Sequence, residues 1–187
     1  MAERVLITGA NGKLGRPLVE ALVLAGYEVC ALDCAPVPEQ EGVLAIVANV
    51  QDESAHEHIL RFHPEIVVHL AANTDIALSH AHPEEDARVN MLGSLNVLHA
   101  AKTAGAKRFV LASSDAVRGK AAPGGVPEPE SPYGVSKLAA ERYCGSYRVI
   151  YGLPFAALRL PEGGNEEHAK TALIRAIRGE YEGVIDL

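Results

Sequence analysis

A doubly wound, parallel α/β sheet is predicted by three features of this 187-residue sequence. Short β-branched apolar runs alternate with helical apolar stripes from one end to the other. The first of those runs, Val5-Leu6-Ile7, leads at once into a glycine trio, Gly9, Gly12 and Gly15. No repeat or low-complexity stretch breaks the alternation. Strands joined in this way lie parallel through right-handed crossovers, and ligands of such sheets bind outside the carboxyl ends of the strands.

Taken in order, the first strand and the glycine trio read as strand, tight turn, helix. Gly9 lets the chain turn, Gly12 lets it approach an anion closely, and Gly15 lets the new helix pack on its strand. Two readings fit the trio: a phosphate cradle, or a tight turn with no ligand. It is not a P-loop, because Leu14 follows Lys13 where a Ser or Thr would be needed, and Ile7 stands where the first glycine would be. A helix is expected over 12–25, ended by Gly26, then a strand over 27–32 with Asp33 at its tip. Asp33 stands where a carboxylate accepts from ribose hydroxyls, or it is a turn residue before Cys34-Ala35-Pro36. As a ribose ligand it favours NAD over NADP, since it repels a further phosphate; Lys13 and Arg16 keep NADP open.

A third strand is expected over 43–47, with Asn49 and Val50 behind it as the rest for an adenine edge. Asp52 is placed as the cap of a helix reaching 62, and Pro64 closes it. The run 66–70 is a fourth strand, and the small residues Ala71 and Ala72, with Asn73, leave room for a cofactor. One helix is predicted over 83–104, with Pro83 in its first turn and Val89, Leu92, Leu95 and Leu98 in one stripe. A fifth strand covers 109–112 and ends in Ser113-Ser114-Asp115; a Gly/Pro-rich loop covers 119–132. Helix 133–151, strand 155–160, a loop over 161–165 and helix 167–178 complete the chain.

Composition narrows the function classes. Apolar content of 48% fits a globular protein, and the formal charge of −7 without a basic patch argues against a nucleic-acid partner. No apolar run has the length of a membrane span, so a cytoplasmic protein is expected. Three cysteines, Cys30, Cys34 and Cys144, show no framework spacing and suit free thiols in a reducing compartment. The pairs His56/His58 and His80/His82 lack the i, i+4 spacing of a helical zinc site and have no cysteine support, so no metal is expected.

The chemistry-bearing pair is Tyr133 and Lys137 in SPYGVSK, one helical turn apart and therefore on one face. An ammonium beside a phenol favours the phenolate, which brings a group of ordinary pKa about 10 toward neutral working range. An exposed helix start is the plain alternative. The order of the marked residues decides between them: glycine trio, Asp33, AAN, serine and Tyr-x-x-x-Lys each fall at a strand end on one edge.

With TGANGKLG, HLAA, LASSDAV and SPYGVSKLAAE, residues 4–160 resemble the extended branch of the short-chain dehydrogenase/reductase superfamily, the NAD-dependent epimerases and dehydratases. The resemblance implies a Rossmann domain over 1–160 binding NAD(P), followed at 161–187 by a short remnant of the substrate lobe, which is otherwise largely absent. It also implies Ser114, Tyr133, Lys137 and Asn90 as the catalytic set. Tyr133 exchanges the substrate proton, Ser114 holds the same oxygen, and Lys137 binds the nicotinamide ribose. The cofactor residues implied are Gly9, Asn11, Gly12, Lys13, Leu14, Gly15, Asp33, Asn49, Val50, Ala71, Ala72 and Asn73, with Tyr133 and Lys137. The substrate implied is a sugar or nucleotide sugar, and the assembly a homodimer through the helices 83–104 and 133–151.

Three departures stand out. Arg118 follows Val117 where the family commonly has tyrosine; Ala116 follows Asp115, so the dehydratase Asp-Glu pair is missing; and Arg159 to Asn165 replaces the segment that usually leads into the second lobe. Two function classes follow from this: an oxidoreductase or epimerase, and a shortened NAD(P)-binding sensor without turnover.

Overall fold

The computed structural model describes residues 2–121 and 125–187, so part of the predicted loop, 122–124, lies outside the described residues. Strands β1 (Arg4–Thr8), β2 (Glu28–Asp33), β3 (Val43–Val47), β4 (Ile66–His69), β5 (Arg108–Ser114), β6 (Phe155–Leu160) and β7 (Gly183–Asp186) form one sheet in the order β3-β2-β1-β4-β5-β6-β7. Every pairing is parallel. Successive residues such as Leu6 and Ile7 enter opposite cores, and both are fully buried, which is why the inner strands read as unbroken apolar runs.

Helices α2 (Glu53–Phe62), α5 (Ser94–Thr103) and α6 (Pro132–Tyr151) cover one face, with Ile59, Leu98 and Ala140 against Leu6, Val67 and Leu111. Helices α1 (Gly15–Leu24) and α7 (Glu166–Ile177) cover the other, with Leu18, Leu22 and Leu173 against Ile7, Val68 and Val110. Strand order reverses between β1 and β4, so the crevice for a ligand opens above their carboxyl ends.

The structure differs from the sequence reading in four places. Residues 10–14 form a turn, and α1 starts at Gly15. The helix predicted over 83–104 is α4 (Pro83–Asp86), a π-helical turn (Ala87–Gly93) and α5, preceded by a short α3 (Ile76–Ala81). A π turn keeps the apolar stripe running, so sequence periodicity alone does not reveal it. Asp52 stands at the start of α2 without bonding to it through its side chain. Residues 161–187, expected as the remnant of a second lobe, contain α7 and β7, and β7 extends the sheet beside β6. No helix among the described residues is long and apolar enough to cross a membrane.

Candidate active site

The carboxyl ends of the strands border a cleft of about 1420 Å³. Its floor is the glycine turn. Gly9 has φ +69°, and a Cβ there would lie 2.6 Å from the Ala71 nitrogen; at Gly15 it would lie 2.3 Å from the Gly9 carbonyl oxygen. Backbone thus packs on backbone where a side chain would fill the cradle. Helix α1 begins without a side-chain cap, and no described main-chain acceptor serves the N–H groups of Lys13 and Leu14. Free N–H groups at a helix N-terminus suit a pyrophosphate.

The Asp33 carboxylate has three contacts: its Oδ2 accepts from the Asn11 N–H at 2.9 Å, and its Oδ1 from the Ala35 N–H at 2.9 Å and the Cys34 thiol at 3.6 Å. Turn residue and ribose candidate are therefore the same carboxylate, since it also lines the cleft. Replacing Asp33 with Ser is expected to weaken NAD binding and to shift the NADP-to-NAD affinity ratio upward about tenfold or more, because a like-charge contact costs several kcal/mol. Titration of both cofactors by fluorescence checks this, and an unchanged ratio would leave Asp33 a turn residue only.

Gly12, Lys13, Leu14, Asn49, Val50, Ala71 and Ala72 also line the cleft, as do Ser114, Tyr133 and Lys137. Asn11, Asn73 and Asn90 do not. The Asn11 side chain accepts from Arg16 Nε at 2.8 Å, while Asn73 and Asn90 hold each other: Asn73 N–H donates to Asn90 Oδ1, and Asn90 Nδ2 to the Asn73 carbonyl, both at 2.8 Å. Asn90, in the π turn, thus braces the loop behind β4 from below.

Helix α6 carries the pair. Ser131 caps it by accepting from the Gly134 N–H, and Pro132 opens its first turn. Lys137 Nζ donates to the Ala112 carbonyl at 2.9 Å and lies 6.0 Å from the centre of the Tyr133 ring. Burial lowers the Lys137 ammonium from 10.5 to about 8, against the pull of Asp86 and Glu141. Burial likewise raises the Tyr133 phenol; the neighbouring Ser114 hydroxyl draws it down, while Asp86, Asp115 and Glu162 push it up. Lys137 is not among the groups that set the phenol, contrary to the sequence expectation that it lowers it. Burial is the largest cause, and the phenol lies above its ordinary value.

Gly134 is what brings these groups together. A Cβ there would lie 2.5 Å from the Ala116 carbonyl oxygen and 2.9 Å from Pro129 Cβ, so α6 sits directly on the turn after Ser114. Gly134→Ala is expected to destabilise the fold by about 1–3 kcal/mol through overpacking. Chemical denaturation measures that cost, and unchanged stability would mean that the helix has room to move.

Sequence reasoning passed over several buried polar groups. His69 Nε2 meets Ser94 Oγ at 2.9 Å, Ser94 Oγ donates to the Asn90 carbonyl at 2.6 Å, and His69 Nδ1 meets Thr8 Oγ1 at 2.7 Å. Since the one proton of Ser94 goes to Asn90, His69 donates from Nε2 and accepts at Nδ1. Burial holds this ring neutral, lowering it to about 3, with the Lys137 charge adding to the effect. Glu141 accepts from Ser113 Oγ at 2.6 Å and from Arg159 at 2.7 and 2.9 Å. Polar residues inside apolar strand and helix runs were the available signal. Among the described residues, no group of three potential ligands could hold a metal ion.

Residues 5–180 match the NAD dependent epimerase/dehydratase family. The chain belongs to this family. It is 31% identical over 167 residues to a putative UDP-glucose 4-epimerase of Methanocaldococcus jannaschii, covering 83% of this chain and 54% of that protein. It is 35% identical over 181 residues to the L-arabinose 1-dehydrogenase (NAD(P)(+)) of Haloferax volcanii, covering 84% of this chain and 66% of that one. The crystal structure of the Thermus thermophilus UDP-glucose 4-epimerase in complex with NAD superposes with a TM-score of 0.78 at 36% identity, covering 84% of this chain and 54% of the other. This epimerase/dehydratase family member thus spans about half the length of the two epimerases.

Proposed function

We propose that this chain is an NAD(P)-dependent oxidoreductase or epimerase that acts on a hydroxyl or carbonyl of a sugar or nucleotide sugar. The observation that carries the reading is that Ser114, Tyr133 and Lys137 line one cleft whose floor is the glycine turn. The cradle that a Cβ at Gly9 or Gly15 would fill fits a dinucleotide, with NAD favoured by Asp33. Lys13, Leu14 and Gly15 would hold its pyrophosphate, Asp33 a ribose, and Lys137 the nicotinamide ribose. NAD, when bound, supplies the hydride acceptor or donor.

Within this reading Ser114 holds the reacting oxygen of the substrate and Tyr133 exchanges its proton. A phenol held above its ordinary value is set to donate to a carbonyl oxygen. It works as a base only when positive charge stands close to it. Lys137 supplies such charge from the next turn of α6. A homodimer through residues 83–104 and 133–151 belongs to the same proposal, supported by the exposed Leu92, Val135, Val149 and Ile150. So does a cytoplasmic setting, which suits three free cysteines.

The test is to titrate the purified protein with NAD and NADH and then follow nicotinamide absorbance against free aldoses, uronates and nucleotide sugars. Binding with turnover on one of these classes is the expected result. Binding without turnover would make the chain a cofactor sensor, and no binding would remove both readings.

A further inference from the structure

Asp86 is a carboxylate with no exposure to solvent, at the last position of α4 and away from the lining of the cleft. Its Oδ1 accepts from Asn90 Nδ2 at 2.8 Å, and its Oδ2 accepts from Ser136 Oγ, the residue immediately before Lys137. One carboxylate thereby ties the brace under the β4 loop to the turn of α6 that carries the catalytic pair. None of the ion pairs among the described residues includes it. An ion buried this way is costly unless it serves another charge.

The charge it faces is Lys137. The other carboxylate acting on that lysine, Glu141, is already held by the Arg159 guanidinium. His69, on β4, is neutral, and Arg159 is occupied by Glu141 and Asp186. Asp115 and Glu162 face the Tyr133 phenol, and Asp86 reaches both members of the pair. Asp86 is therefore the buried anion left uncompensated beside a buried cation.

We propose that Asp86 is a positioning residue for the catalytic turn: it clamps Ser136 to Asn90, and its carboxylate is the counter-charge to the buried Lys137 ammonium. This rests on the proposed roles of Tyr133 and Lys137. The same charge acts on the phenol in the opposite sense for catalysis, keeping Tyr133 in its acid form. The resting site is thus a protonated lysine and a protonated phenol, ready to donate rather than to abstract.

The test is a titration of the unliganded full chain labelled with 13C at lysine Cε, with the Lys137 resonance identified by its loss in Lys137→Met. In the parent, the inflection is expected near the value of about 8. In Asp86→Asn it is expected to fall by about one unit or more, and in Asp86→Glu to return toward the parent, because an opposite charge nearby shifts a group by that order. The Tyr133 phenolate, read as the ultraviolet difference from Tyr133→Phe, is expected to form at lower pH in Asp86→Asn. A Lys137 inflection unmoved by Asp86→Asn would reduce Asp86 to a structural clamp and overturn the proposal. If that variant does not fold, Asp86→Ser serves in its place with the same expected fall, and an unmoved Lys137 inflection overturns the proposal equally. None of these readouts requires turnover, so a chain that turns over no substrate leaves the titration result standing on its own.

Discussion

Tyr133→Phe is expected to lower turnover by about 10²–10⁴-fold while leaving NADH affinity within about twofold of the parent, the range typical for removal of a general acid or base. The phenyl ring stays in place, so its packing against the start of α6 and the cleft wall is kept. Only the oxygen next to Ser114 is lost. Because burial and the carboxylates of Asp86, Asp115 and Glu162 raise the phenol, the parent should favour carbonyl reduction over alcohol oxidation at neutral pH, and raising the pH should favour oxidation. Both trends should disappear in the variant. Initial rates in the two directions across pH, with NADH binding followed by fluorescence, measure the effect. Equal rates in variant and parent would take Tyr133 out of the chemistry.

Lys137→Met is expected to abolish turnover and to make the fold more stable. In the unfolded chain the lysine titrates at its ordinary value of 10.5, and in the folded chain at about 8. The folded value already includes the attraction of Asp86 and Glu141, so burial outweighs both. At neutral pH the difference amounts to about 3 kcal/mol against the folded state. Methionine fills similar volume without charge, and it forfeits the bond to the Ala112 carbonyl, worth about 1–2 kcal/mol. A net gain of about 1–2 kcal/mol remains.

The pH dependence fixes the sign. A lowered folded value means that the unfolded chain holds more protons between pH 8 and 10.5, so stability from this group rises through that window and the full penalty applies below it. The stability gap between Lys137→Met and the parent should therefore be constant below about pH 8, narrow as pH rises, and reverse in sign by pH 10.5, where only the lost bond to Ala112 remains. Urea unfolding at a series of pH values checks this. A parent more stable than the variant at neutral pH would show that the buried ammonium is a net stabiliser. A stabilising replacement that removes activity would mark Lys137 as a residue kept at a cost to the fold.

Much of this protein is legible in its sequence because the signals are local. Unbroken apolar runs such as Val5-Leu6-Ile7 and Ile66-Val67-Val68 mark strands buried on both faces, and the glycine trio marks the turn between β1 and α1. The four-residue spacing of Tyr133 and Lys137 puts them on one helical face without reference to the rest of the chain. Only the tertiary structure decided what those groups experience. The π turn under Asn90, the seventh strand and the buried Asp86 leave no periodic trace, because a widened turn, an edge strand of four residues and a lone carboxylate each depend on what packs against them. The direction of the Tyr133 shift was out of reach for the same reason. Helical spacing sets how near a lysine stands to a phenol, whereas desolvation and carboxylates arriving from distant segments decide whether that lysine prevails.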